Sequence, residues 1–352
     1  MNINSMRELV SEDAFKTYQT AWDISDDLIA KAQPIVAESL KGSDLDPERI
    51  CIATVGSTAR REAMNASDID LLPVWCGETK DLPHFEDLTG KVREDLRQQT
   101  GMDVSTSRNL MRSTQLSTLC RPDGIGGDDD YRRTLTQRML ILTESEQLGG
   151  SHPISAIRRS IMEAYVGERD TERTVSKHPM AVCNDIARYY RTLCVDYKSR
   201  AETKPESWAE RHAKLRNARK LWYFSTVMAI SRNVADANGE SQNELFQALE
   251  ETFSKPPVLR LLSAVDANNG SHASYILNLY SRYLEDMSDV DFRESLAIVD
   301  FEHRKDETLP DGEQNPYHGL YNRSRDFSGH MIDMLLKTAD EPRRKVYQWF
   351  FL

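Results

Sequence analysis

The sequence predicts an α+β protein in which a small mixed sheet is followed by a larger helical domain. Apolar, β-branched runs bounded by turn residues recur within residues 50–106, a pattern typical of short strands. From Tyr131 onward, apolar residues recur at helical spacing almost without interruption. A glycine-rich break near residue 150 separates the two patterns, so we predict one domain over residues 1–150 and a second over 151–352.

The predicted elements follow from where these patterns begin and end. Before the break, the patterns predict helices over 12–30, 58–65 and 84–100 and strands over 50–55, 68–75 and 102–106. From Tyr131 onward, the candidate helices are 131–147, 153–166, 180–202, 207–236, 241–254, 271–287 and 324–351.

Charge, hydropathy and cysteine usage exclude several classes of protein. A net charge of −11 argues against a protein that coats duplex DNA, and we expect no sequence-specific duplex DNA binding. No apolar stretch approaches the roughly 20 residues that a membrane span needs, and the first residues lack the apolar core of a signal peptide. We therefore expect a cytoplasmic protein with no membrane partner. The five cysteines include no Cys-x-x-Cys pair, so neither a zinc site nor a disulfide framework is indicated.

Four residues at the end of the first predicted strand and the start of the second are expected to carry the chemistry. Gly56 permits a turn and a close approach to the backbone, and the N–H groups that follow Ser57 favour an anion such as a phosphate. Asp68 and Asp70 are two apart on a strand, so both carboxylates project from the same face. Two clustered anions repel each other unless a cation lies between them, and Mg²⁺ suits carboxylate oxygens.

This arrangement resembles the core motif of the DNA polymerase β superfamily of nucleotidyltransferases, namely a strand, a Gly-Ser turn, a short helix and an Asp-x-Asp strand. The stretch Gly56-Ser57-Thr58-Ala59-Arg60-Arg61-Glu62 is similar to the nucleotidyltransferase domain of bacterial nitrogen-signalling uridylyltransferases and their stand-alone relatives. The resemblance covers residues 50–106. It implies that the first domain is a polymerase β-like catalytic domain, and that the helical domain binds the nucleotide or the acceptor.

The resemblance also implies a catalytic, metal-binding set of three carboxylates. Asp68 and Asp70 match the first two, and Asp103 matches the third by its place, one helix and one turn after Asp70. We expect these residues to hold Mg²⁺, with Mn²⁺ as an alternative. The nitrogen-signalling enzymes also carry a His-Asp phosphohydrolase domain and sensing domains. This chain contains no His-Asp dipeptide and has no room for the sensing domains. The resemblance therefore does not imply that this chain shares the de-nucleotidylating activity or the particular substrate of those enzymes.

The nucleotide is expected to contact the turn and two cations of the helical domain. At the turn, the expected nucleotide-binding residues are Gly56, Ser57 and Arg60. Arg188 and Lys214 lie in locally basic stretches of an otherwise acidic chain, and we expect them to hold the β- and γ-phosphates of a triphosphate. The alternative for these two cations is a solvated positive face that pairs with neighbouring acids.

The predicted function is an enzyme that transfers a nucleoside monophosphate from a nucleoside triphosphate such as ATP to a hydroxyl, releasing pyrophosphate. The acceptor stays open between a protein side chain, a nucleotide in a signalling oligomer and an RNA end. Stand-alone relatives often serve toxin–antitoxin or antiviral defence systems, a role that the resemblance permits. The alternative is a non-catalytic interaction protein that keeps the fold and binds a nucleotide. A purely structural interpretation makes Gly56-Ser57 a turn and Asp68/Asp70 a solvated strand end.

Overall fold

The protein is α+β, predominantly helical, with one small mixed sheet. The computed structural model describes residues 3–64, 67–101, 104, 112–121, 125, 134–166, 179–203, 205–237, 242–266 and 268–351. The predicted fold class is confirmed at this level.

The four-stranded sheet is built around the first predicted strand. The strands are β1 (Ile50–Val55), β2 (Asp70–Trp75), β3 (Thr114–Gln115) and β4 (Ser145–Gly149), in the spatial order β3-β2-β1-β4. Strand β1 pairs antiparallel with both β2 and β4, and β2 pairs parallel with β3. A further parallel bridge joins Ile69 to Val104 just before β2 begins. The pairing therefore places the end of β1 beside the start of β2.

Helices make up most of the remaining described chain. Before the break near residue 150 they are α1 (Glu12–Lys41), α2 (Leu82–Thr100), α3 (Leu116–Leu119) and α4 (Thr134–Thr143). After it come α5 (Ile154–Val166), α6 (Met180–Thr203), α7 (Trp208–Lys214), α8 (Lys220–Asp236), α9 (Gln242–Ser254), α10 (Pro257–Ser263), α11 (Gly270–Ser288), α12 (Val290–Ser295), α13 (Pro316–Lys337) and α14 (Glu341–Phe351). A π-helical segment, Leu215–Arg219, joins α7 to α8.

Several predicted elements differ from the structure. The helix predicted over 12–30 extends to Lys41, and the one predicted over 207–236 is interrupted by the π-helical segment. The short helix predicted over 58–65 is wrong for its described part, since residues 56–61 form hydrogen-bonded turns. The helix predicted over 131–147 ends at Thr143, and the strand β4 follows it. The single helix predicted over 324–351 is divided into α13 and α14 by residues 338–340.

One face of the sheet packs on α1 and α2. Its core is a single cluster of apolar side chains from β1, β2, β4 and these helices, among them Ile52, Leu71, Trp75, Phe85 and Leu96. The rings of Trp75 and Phe85 lie 5.4 Å apart, so the indole of β2 is held against α2. This packing fixes β2 along its length and leaves its first residue, Asp70, at the edge of the core.

Helix α5, which follows β4, places an arginine near the opposite face of the sheet. Cys51 on this face is buried, and burial raises the pKa of its thiol to about 12, with a smaller opposing effect from Arg158 of α5. Arg158 donates from Nε to the Ile141 carbonyl oxygen at 3.1 Å and from Nη2 to the Ser145 hydroxyl at 3.0 Å. Helix α5 is thus tied to the end of α4 and the start of β4.

By internal contacts the chain groups into two units. The sheet unit comprises residues 21–185 and 239–256, and the helical unit comprises residues 1–20, 186–238 and 257–352. These bounds differ from the domain division proposed from the sequence, which stays a prediction. Among the described helices, none combines the length and the hydropathy that a membrane crossing requires.

The α2 packing yields a stability prediction. Leu96 is fully buried in the apolar cluster, whereas Leu336 of α13 is 71% exposed. We expect Leu96→Ala to lower the free energy of unfolding by about 2–5 kcal/mol, because it removes buried apolar surface and leaves a cavity. The matched change Leu336→Ala should stay within about 0.5 kcal/mol of the wild type. Urea denaturation of both variants tests this, and equal losses would contradict the packing described.

Candidate functional site

The site begins at the tight turn that ends β1. Gly56 has φ +78°, a left-handed conformation that favours glycine. The turn is closed by three backbone hydrogen bonds, donated by the N–H groups of Arg60 to Gly56 O, Arg61 to Thr58 O and Glu62 to Ser57 O, at 2.9–3.2 Å. The preceding N–H groups, those of residues 57–59, are not donors in these bonds. Ser57, which is half-buried, is the first of three residues whose N–H groups come before the three donors that close the turn.

Gly56 and Asp70 are in direct contact across the sheet. Strand pairing sets Val55 opposite Asp70, so the turn starts beside the first residue of β2. A Cβ placed on Gly56 would lie 2.8 Å from Asp70 Oδ2, which is closer than real Cβ atoms approach an oxygen. The missing side chain of Gly56 consequently lets the Asp70 carboxylate lie against the backbone of the turn.

Asp68 and Asp70 lie at the point where β2 begins. Ile69 between them is 1% exposed and belongs to the apolar cluster, whereas Asp68 is exposed and Asp70 is half-buried. Strand β2 begins at Asp70, and Asp68 precedes it, so the projection of both carboxylates from one face stays a prediction. Asp103 falls outside the described residues. Its chain neighbour Val104 is described, and Val104 pairs with Ile69.

Arg60, one of the predicted nucleotide-binding residues, is buried within a three-membered ion-pair network. Its Nε lies 2.7 Å from Glu62 Oε2, and its Nη1 contacts Glu144 Oε2 at the end of α4. All three side chains are nearly inaccessible, so each charge depends on the others for compensation. The network ties the end of the turn to the start of β4. Nucleotide binding by Arg60 stays a prediction.

Arg61 ends the turn in a conformation that a side chain seldom adopts. Its φ of +60° makes it the non-glycine residue with positive φ in the described chain. Such a conformation costs of order 1–3 kcal/mol and persists only where neighbouring contacts hold it. Here the guanidinium pairs with Asp26 of α1 at 2.9 Å and lies 3.7 Å from Glu146 of β4. These contacts anchor the turn to α1 and β4.

Two threonine hydroxyls near the turn are buried, which the sequence did not indicate. Thr54 Oγ1 and Thr58 Oγ1 have no hydrogen-bond partner within the described residues. An unpaired buried hydroxyl is costly, so each one in a native structure requires an explanation, such as a bound water or ion. A threonine in an apolar run reads as an ordinary strand residue, so only the structure shows that these hydroxyls are left without partners.

The two cations predicted to hold phosphates belong to the helical unit. Arg188 lies half-buried on α6. Lys214 is the last residue of α7, and its ammonium pairs with the carboxylate of Glu210 one turn earlier, at 2.6 Å. Exposed pairs of this spacing contribute only about 0.3–0.5 kcal/mol. A phosphate role for Arg188 and Lys214 stays a prediction.

Among the cations of the helical unit that have no carboxylate partner in the described residues, Arg216 and Lys220 are half-buried. Arg216 lies within the π-helical segment and Lys220 directly follows it, and such a distortion is frequent at functional sites. Burial, assisted by the Arg216 charge, lowers the pKa of Lys220 to about 8, and its ammonium donates to the Ser328 hydroxyl at 2.8 Å. The Arg216 guanidinium lies 5.0 Å from the Tyr321 ring centre, and its Nε is buried without a partner in the described chain. The sequence showed this stretch to be basic but did not show which of its cations are buried.

Known protein-family models do not match this chain, and a comparison with curated proteins likewise finds no match. Function is therefore inferred from the motif and from the geometry of its residues.

The lowered pKa of Lys220 yields a prediction about pH. Below pH 8 the lysine is protonated in the folded and unfolded states, and its burial fully opposes folding. Between about pH 8 and its ordinary value of 10.5, the folded protein releases a proton that the unfolded chain keeps, so stability rises with pH. We expect the free energy of unfolding of the wild type to increase over this range relative to that of Lys220→Met. Urea titrations of both proteins from pH 7 to pH 10 test it. Parallel curves would contradict the burial of this cation.

Proposed function

We propose that this protein is a metal-dependent nucleotidyltransferase of the DNA polymerase β type, which moves a nucleoside monophosphate from a nucleoside triphosphate such as ATP to a hydroxyl acceptor. The observation that carries the proposal is the contact between Gly56 and Asp70, where a Cβ would lie 2.8 Å from Oδ2. A phosphate chain that follows the turn backbone would reach the carboxylate strand directly. A solvated strand end has no need of a left-handed glycine beside its carboxylate.

The donor set fits a hard divalent cation. Asp68 and Asp70 offer carboxylate oxygens, one exposed and one half-buried. Such oxygens are the ligands that Mg²⁺ prefers, and Mn²⁺ is the closest substitute. Asp103 stays the predicted third ligand, and the Ile69–Val104 pairing brings its chain neighbour beside the Asp-x-Asp strand. When bound, the cation would supply charge neutralisation and a lowered pKa for the attacking hydroxyl.

The residues of the turn would bind and orient the triphosphate. The N–H groups of residues 57–59 and the Ser57 hydroxyl are the donors that we assign to phosphate oxygens, since consecutive backbone amides in a turn form an anion-binding concavity. Arg60 and Arg61 hold the turn in place through Glu62, Glu144 and Asp26. Phosphoryl transfer depends on positioning and charge neutralisation more than on covalent help, so a rigidly held turn serves it.

The acceptor belongs to one of three classes, namely a protein side chain, a nucleotide in a signalling oligomer or an RNA end. The proposal includes a role in bacterial defence or in a toxin–antitoxin system. In the helical unit, Arg216 and Lys220 join Arg188 and Lys214 as candidate contacts for an anionic substrate. Arg216 and Lys220 have no carboxylate partner within the described chain, which favours them over Lys214, whose ammonium pairs with Glu210.

The carboxylates give the first functional test. We expect Asp68→Asn and Asp70→Asn each to lower the rate of pyrophosphate release from nucleoside triphosphates with Mg²⁺ by at least about a hundredfold, because each change removes a metal ligand and leaves the volume unchanged. Asp87→Asn, an exposed change on α2 in the same unit, is the control and should keep wild-type turnover. Labelled nucleotides show whether the label reaches protein, RNA or free oligomers.

Two outcomes of this test would overturn the proposal. If Asp70→Asn keeps its turnover, the carboxylates do not take part in catalysis. The wild type could also bind nucleotides in a metal-dependent way but release no pyrophosphate from ATP, GTP, CTP or UTP. That result would favour a non-catalytic nucleotide-binding protein.

The glycine contact gives a second test with a matched control. Gly56 and Gly101 both have positive φ, +78° and +67°, but a Cβ on Gly101 meets nothing within 4 Å. Gly56→Ala and Gly101→Ala should therefore lose similar stability, about 1–2 kcal/mol, from the left-handed backbone. Only Gly56→Ala displaces the Asp70 carboxylate, so it alone should lose turnover. Equal turnover in both variants would make Gly56 a turn residue and nothing more.

A further inference from the structure

Two histidines and an aspartate converge on neighbouring helices of the helical unit. His272 lies on α11, and His330 and Asp333 lie three residues apart on one face of α13. One potential ligand atom from each residue lies within 4.8 Å of the other two. Both histidines are half-buried and Asp333 is exposed, so the cluster is open to solvent on one side. None of these residues belongs to the motif assigned to nucleotide transfer.

The spacing of the two imidazoles matches a shared cation. Their Nδ1 atoms lie 3.4 Å apart and face each other. Two ligand nitrogens at the ordinary zinc distance of about 2.05 Å in a tetrahedral site are separated by about 3.3 Å, which agrees with this distance. Without a cation, one ring must donate a proton to the other in a contact at the long limit of a hydrogen bond.

The surroundings of the histidines hold one ring in a fixed plane. Tyr275 stacks on His330 with ring centres 4.5 Å apart and an interplanar angle of 3°. A fixed ring orientation lowers the entropic cost of placing its nitrogen on a metal. Nitrogen donors distinguish this cluster from the carboxylate strand, because imidazole suits zinc and its neighbours in the transition series, whereas Mg²⁺ prefers oxygen.

We propose that His272, His330 and Asp333 form a binding site for a divalent transition metal, with Zn²⁺ as the reference ion. The metal joins α11 to α13 through three protein ligands and keeps a fourth position for water or another ligand. The site is independent of the proposed nucleotidyltransferase reaction, since it uses different residues and a different class of metal.

The experiment titrates the full-length protein with Zn²⁺ by calorimetry and with Co²⁺ by visible absorption, in excess Mg²⁺. An Asp68→Asn/Asp70→Asn background removes the carboxylate strand as a competing ligand set. We expect one equivalent to bind, a cobalt spectrum of four-coordinate type, and a Tm that rises with Zn²⁺. In the same background, His272→Gln and His330→Gln should each weaken binding by at least about a hundredfold and abolish the rise in Tm.

The control is His318→Gln on the same helix, where the ring nitrogen Nε2 lies 3.0 Å from the Asn322 side-chain nitrogen instead of facing a second histidine. It should keep the affinity for Zn²⁺. Circular dichroism checks that each variant is folded, and the two histidine variants test the site separately if one of them unfolds. The absence of stoichiometric binding, or equal affinity in the wild type, His330→Gln and His318→Gln, would overturn the site. Because the nucleotide reaction is measured separately, failure of one proposal leaves the other standing.

Discussion

The contact between Gly56 and Asp70 is the constraint on which the sheet unit depends. For the two residues to meet, β1 must end opposite the start of β2, as the antiparallel register with Val55 opposite Asp70 ensures. The chain must then leave β1 in a left-handed conformation, which glycine adopts without steric cost. The apolar cluster behind the strands holds this register in place, since a slip of one residue would turn Ile69 outward.

Two adjacent arginines suggest a positively charged turn, but both guanidinium groups lie beside carboxylates. Arg60 is compensated by Glu62 and Glu144, and Arg61 lies against Asp26 and Glu146. Neither guanidinium therefore adds a free positive charge to the site. In the proposed function, the attraction for a phosphate would therefore come from backbone amides and from a cation on the carboxylates. The proposal is in this way compatible with a chain of net charge −11.

The sequence reveals those features that a local pattern determines. Strand β1 was predicted with its observed bounds because six consecutive apolar or β-branched residues end at a Gly-Ser turn. Strand β4 was missed because Ser145–Gly149 is largely polar and continues the helical pattern of α4 without a break. The helix expected after Gly56 is replaced by turns that end at Arg61, whose left-handed backbone is stabilised by side chains distant in sequence. His272 and His330 are likewise brought together only by tertiary packing.

The sheet unit is discontinuous in the chain, and this has a consequence during synthesis. Helix α9 contributes Leu245, Leu249 and Phe253 to the buried interior, yet it follows residues 186–238, which belong to the helical unit. At ordinary elongation rates of about 5–20 residues per second, the ribosome needs roughly 3–10 s to make that intervening stretch. During this interval α4 and α5 have been synthesised, but α9, which packs against both of them, has not. The sheet unit therefore cannot complete its packing until the chain has passed through the 186–238 stretch of the helical unit.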